Sequence, residues 1–138
     1  MAALTTDRNT RMKCVEREIS MPVAAGVQIY KGAIVNLNAA GYLKPAGDVA
    51  GEVCAGIADK NIDNTGGVDG AFECPVLKGV AGLRADGVAP VQAGLGRPVY
   101  AQDDGNITDA ATAANDVIVG HLDSIDGSTF WVKLFDQA

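Results

Sequence analysis

DVIVGHLDSIDGSTFWVKLF, residues 116–135, decides the reading of the fold. Two runs rich in β-branched and aromatic residues flank Asp126-Gly127, a dipeptide that favours a two-residue turn between antiparallel strands. Phe130, Val132 and Leu134 fall on one face of the closing run and Trp131 and Phe135 on the other, so this strand is expected to be central and covered on both sides.

Upstream the same period of two recurs in shorter pieces. MKCVEREI, Met12 to Ile19, can begin a first strand. VQIYKGAIVNLNAAGYLKPAG reads as two short strands broken by Gly32, a turn at Ala40-Gly41 and a strand around Tyr42 to Lys44. In AIVNLN, Ala33, Val35 and Leu37 alternate with Ile34, Asn36 and Asn38, the pattern of a half-buried strand. VCAGIAD places Val53, Ala55 and Ile57 on one side. In FECPVLKG, Pro75 has no N–H for a ladder, which predicts an edge position or a bulge. Further candidates are Val80 to Leu83 and Arg97 to Ala101. TDAATAAND, Thr108 to Asp116, reads as a loop.

Composition agrees. The 17 glycines among 138 residues argue against long helices, because each interior glycine costs a helix about 1 kcal/mol against alanine. Hydrophobic residues make up 48% of the chain and aromatics only 5%, so the core must be largely aliphatic. The expected fold is all-β: a single small sandwich or barrel of eight to ten short strands over residues 12–138, preceded by an extended N-terminal arm over 1–11.

Net charge is −6, but unevenly spread: residues 1–31 hold five basic side chains against three acidic, and the remainder six against fourteen. An acidic body argues against nucleic acid as a partner. No apolar run approaches the ~20 residues of a membrane span, and the polar opening has no signal-peptide core, so a soluble protein with no membrane partner is expected. Cys14, Cys54 and Cys74 form no C-x-x-C pair. An odd count without a secretory signal predicts that all three are buried free thiols in a reducing cytoplasm, Cys54 and Cys74 within strand patterns.

No catalytic or cofactor motif emerges. The one histidine, His121, lies within a strand pattern with no nucleophile selected by spacing. Asp59, Asn61, Asp63 and Asp69 repeat oxygen ligands as a calcium loop does, but Asn64 stands where that loop needs glycine and Gly70 where it needs glutamate. Turn chemistry explains the segment better. GLGRP, Gly94 to Pro98, lacks the phosphate-loop spacing and its lysine. The expectation is no enzyme, no metal and no cofactor.

Several stretches in order carry a family resemblance: RNT at 8–10, PVAAGVQIYKGAIVNLNAAGYLKPA at 22–46, AGIADKNIDNTGGVDGAFECPVLKGV at 55–80, GRPVYAQDDGNIT at 96–108 and FWVKLF at 130–135. Together they resemble the capsid decoration, or cement, proteins of tailed bacteriophages, from about Arg8 to Phe135. The resemblance implies a structural virion protein on the outside of the mature head, reinforcing contacts between major capsid protein subunits, made in the host cytoplasm, and a homo-oligomer with a trimer favoured over a dimer. A carbohydrate- or host-surface-binding β-module is the alternative. The charge contrast adds a docking expectation: Arg8, Arg11, Lys13 and Arg17 on an N-terminal arm meeting carboxylates of the capsid protein.

Overall fold

The computed structural model describes residues 3–85, 89–109, 115 and 117–134. Short aliphatic runs between turn residues become eleven strands: β1 (Met12–Pro22), β2 (Gln28–Ile29), β3 (Ile34–Leu37), β4 (Leu43–Pro45), β5 (Val53–Ala58), β6 (Ile62–Asp63), β7 (Glu73–Ala85), β8 (Pro98–Ala101), β9 (Asn106–Thr108), β10 (Ile118–Asp126) and β11 (Thr129–Leu134). Among the described residues there is no α-helix, only a single 3-10 turn at Gln92–Gly94.

Five strands close a small barrel. β7 pairs antiparallel with β11 through Leu83↔Phe130 and Ala81↔Val132, β11 with β10 by the terminal hairpin, β10 with β8, and β8 with β9. β9 then returns to β7 in parallel at Arg84↔Asn106 and shuts the ring. A ring of so few strands has no room for a lumen and is filled by side chains: Leu83, Ile107, Val119, Leu122 and Val132 are all buried there. The expectation of an all-β barrel or sandwich holds.

Outside the ring, β5, β3 and β4 extend the sheet from β7, and the two-residue strands β2 and β6 pair beside them. They enclose a second apolar cluster around Val23, Ile29, Val35, Leu43 and Val76. β3 lies between the two clusters. Ile34 enters the barrel core and Val35 the second, and both are fully buried together with Asn36. The strand expected to be half-buried is therefore covered on both faces, which its polar Asn36 concealed. That side chain donates to Gly47 O at 3.2 Å and to Glu52 Oε1 at 3.1 Å.

Three other expectations are corrected. In β5, Cys54 joins Ile57 in the barrel cluster while Ala55 joins Ala58 in the second, and Val53 is exposed. A register shift opposite Val35 and Asn36 breaks the simple alternation. The segments around Pro75 and Val80 are one thirteen-residue strand, and it is the most connected in the sheet rather than an edge. The carbonyl of Pro75 accepts from Asp59 N–H just past the last β5–β7 pair, Ala58↔Val76. The missing donor thus falls where that ladder ends. The closing hairpin turns through Gly127-Ser128, one residue later than expected, because Asp126 pairs with Thr129. Thr108 to Asp116 falls mostly outside the described residues, as does Phe135.

Candidate functional site

Residues 3–11 run as a strap bound to the body instead of a free arm. Leu4 N–H donates to Asp104 Oδ1 at 2.8 Å, and Arg8 N–H to Lys31 O at 2.7 Å. Asp7 Oδ1 accepts from Lys31 N–H at 2.9 Å and from Asn61 Nδ2 at 2.8 Å. At the far end Gly82 N–H donates to Arg11 O at 2.7 Å, leading the chain into β1 alongside β7.

The four expected docking residues have different surroundings. Arg8 turns inward: its guanidinium donates to Gly105 O at 2.6 Å and to Gly32 O at 3.2 Å, with Nε on Thr10 Oγ1 at 3.0 Å. Burial lowers its pKa from the ordinary value, Asp104 and Asp103 oppose that shift, and Arg84 adds to it. Arg8 is thus committed to holding the strap. Arg11 is exposed at the strap's end. Lys13 lies over the Trp131 ring, its Nζ 4.8 Å from the centroid. Arg17 sits exposed on β1 opposite Lys78 and has an interaction of its own.

β1 is exposed along most of its length and pairs with β7 alone among the described strands. Val15 and Ile19 are 50% and 39% exposed on it, apolar surface that a partner could cover. Register shifts between Met12 and Cys14 and between Val15 and Arg17 leave Arg17 to Pro22 as its unbroken stretch. Glu16 of β1 and Lys133 of β11, two strands that each pair with β7, join at 2.7 Å, both half-exposed.

Arg8, Asn9, Thr10 and Arg11 form one wall of a cleft of about 120 Å³, and Gly82, Leu83, Arg84 and Thr129 the other. Arg84 was invisible to sequence reasoning, because only the pairing of Gly82 with Arg11 brings it beside the strap. A larger cavity, about 350 Å³, lies elsewhere, between the 3-10 turn and β8, and is lined mainly by apolar groups such as Pro90, Val91 and Val99.

The residues tested for chemistry fall apart in space or into turns. His121 is exposed on β10 and engaged in an interaction. Cys54 and Cys74 are buried free thiols, as expected, whereas Cys14, also expected to be buried, is a free thiol exposed on β1. Burial pushes Cys54 up to about 12 and Cys74 to about 11, far from thiolate reactivity. In the Asp59 to Gly70 loop, Asp63 caps Thr65 through its amide and hydroxyl at 3.1 and 2.6 Å, and Asp69 accepts from Ala25 N–H at 2.8 Å. Buried Asn64, missed as a structural residue, ties the loop down by donating to Ala24 O and Val68 O at 2.9 and 3.0 Å. No group of three or more metal-ligating side chains occurs among the described residues.

Comparison with known proteins finds no matching family model, no matching curated protein and no matching solved structure.

Proposed function

We propose that this chain is a non-catalytic structural protein of a tailed-phage virion, a decoration module that binds the outer face of the mature head and reinforces contacts between major capsid protein subunits. The observation that carries the proposal is the ordered run of segments from Arg8 to Phe135 that resembles the capsid cement proteins. Two features of the fold are compatible with it. The small barrel carries a long exposed strand, β1, with one edge unpaired among the described strands and Val15 and Ile19 uncovered. Strand addition at such an edge supplies backbone hydrogen bonds that exposed ion pairs, at about 0 to 1 kcal/mol each, cannot replace.

The proposed partners are the capsid protein and further copies of the chain, a trimer at local symmetry points suiting a bridging role. Several weak contacts made together would then hold the oligomer durably. Its place would be the capsid exterior after synthesis in the host cytoplasm. The carbohydrate-binding alternative has less support, since Lys13 already covers one face of Trp131.

The test is co-sedimentation with expanded heads of the phage that encodes the chain, paired with mass spectrometry of purified virions. Full-length protein should pellet with heads, and a variant lacking residues 2–11 should bind more weakly while its barrel stays folded. Absence of the chain from virions, together with no binding to heads, would overturn the reading.

A further inference from the structure

We infer that the cleft between the strap and the β7–β11 corner is a carboxylate-binding notch, with Arg11 and Arg84 as its gripping groups and the acidic side chain of a partner polypeptide as its occupant. Three of the chain's cations, Arg8, Arg11 and Arg84, line this one small space, and none of its described lining residues is acidic. The acids that act on this group, Asp104 and Asp103, balance Arg8 from behind and are not among the cleft's described lining residues.

The three arginines are not equivalent. Arg8 forms the back wall, its donors used on Gly105 O and Gly32 O and its charge balanced by Asp104 and Asp103. Arg11 and Arg84 are both exposed, and neither has a carboxylate partner among the described residues. Like charges held together are unfavourable until an anion joins them, and a guanidinium fork matches a carboxylate in two parallel hydrogen bonds. Thr129 adds a hydroxyl to the lining, whereas the Thr10 hydroxyl is used on Gly32 O. A volume of about 120 Å³ admits a carboxylate with a few waters.

A phosphate group would satisfy the same forks. Where that phosphate belongs to a nucleic acid, the remaining backbone charge of the polymer would meet an acidic body of net charge −6. A protein carboxylate brings no such repulsion. The inference deepens the docking proposal by naming what the partner presents, and rests on it only for who the partner is.

The test uses the full chain without capsids, labelled for NMR of arginine Nε–H and backbone amides. The probes are a blocked peptide, Gly-Asp-Gly-Glu-Gly, its amide counterpart Gly-Asn-Gly-Gln-Gly, and inorganic phosphate, each against chloride at matched ionic strength. The acidic peptide should shift Arg11 and Arg84 Nε–H and the Leu83 amide saturably, in the millimolar range expected of exposed charge pairs, with the amide peptide silent. R84Q and R11Q should each weaken this about tenfold with core amides unmoved. Equal response to the amide peptide, a linear response like that of chloride, or unaltered binding in both variants would overturn the notch. Saturation by phosphate with none by the acidic peptide would overturn the carboxylate assignment. Failure on heads with a positive result here would count against the decoration reading alone.

Discussion

Gly32→Ala should detach the strap while leaving the barrel folded. Gly32 has φ +87°, where a side chain is strained by about 1–2 kcal/mol. A Cβ there would also run into the carbonyl of Arg8, far inside van der Waals contact, and into Thr10 Oγ1. Gly32 cannot retreat easily, since its N–H is bound to Ala58 O at 2.8 Å. The strap must move, and the Arg8 N–H bond to Lys31 O goes with it, a further loss of about 1 kcal/mol. The guanidinium bonds of Arg8 are also given up, but the freed residues regain roughly 1–2 kcal/mol of backbone entropy each. The expected net loss is about 2–4 kcal/mol, within the ~5–15 kcal/mol of a domain this size, or a urea midpoint lower by about 1–2 M.

Hydrogen exchange separates detachment from general weakening. The amides of Arg8 and Gly82, whose acceptors are Lys31 O and Arg11 O, should lose protection well beyond the global change, and Leu122 N–H, bound to Arg97 O at 2.9 Å, should not. Gly26→Ala is the control: φ is +75° there, but nothing lies within 4 Å of the added Cβ. It should show backbone strain alone and a strap protected as before. Unchanged protection at Arg8 in Gly32→Ala, or equal loss at Leu122, would refute the reasoning.

Asp104 has its pKa raised above the ordinary 3.8, chiefly by burial. Its favourable contribution is therefore present below pH 3.8 and lost as pH rises through the folded value. Asp104→Asn should lack that step, so thermal melts from pH 3 to 7 should show the variant gaining on the parent with rising pH; the opposite trend would contradict the assignment. A thiol reagent should titrate Cys14 alone in the native protein and all three thiols after unfolding, with non-reduced mass showing no bridge. Rapid native reaction at Cys54 would mean the barrel opens readily. Lys13→Ala should cost about 0.5–1 kcal/mol and make Trp131 fluorescence more quenchable by iodide, whereas unchanged quenching would deny the stacked geometry.

The fold was legible where one residue's side-chain pattern reported one neighbour. The terminal hairpin, the short strands flanking Gly32 and the buried Cys54 and Cys74 all follow from alternation and turn chemistry. It failed where a residue answered to two neighbours. Val35 and Ile34 look like opposite faces of a half-buried strand because nothing local announces a second core beyond the first. Pro75 looks like an edge residue because the end of the β5 ladder is a tertiary fact, and the shift in β5 erases the alternation that set Val53, Ala55 and Ile57 on one side.

The same distinction separates the four basic residues read as one arm. Charge in sequence gives number and sign but not direction, so Arg8, Arg11, Lys13 and Arg17 were equivalent until the chain folded. Gly32 then lets the strap lie against the body, which carries Arg8 inward to Gly105 and Gly32 carbonyls and leaves Arg11 outside. The same approach sets Arg11 across a cleft from Arg84, 73 positions later in the chain. A cationic notch built from two such distant residues has no linear signature. If docking is electrostatic at all, its specificity should follow the Arg11 and Arg84 pair and be indifferent to Arg8, whose substitution should act through loss of the strap.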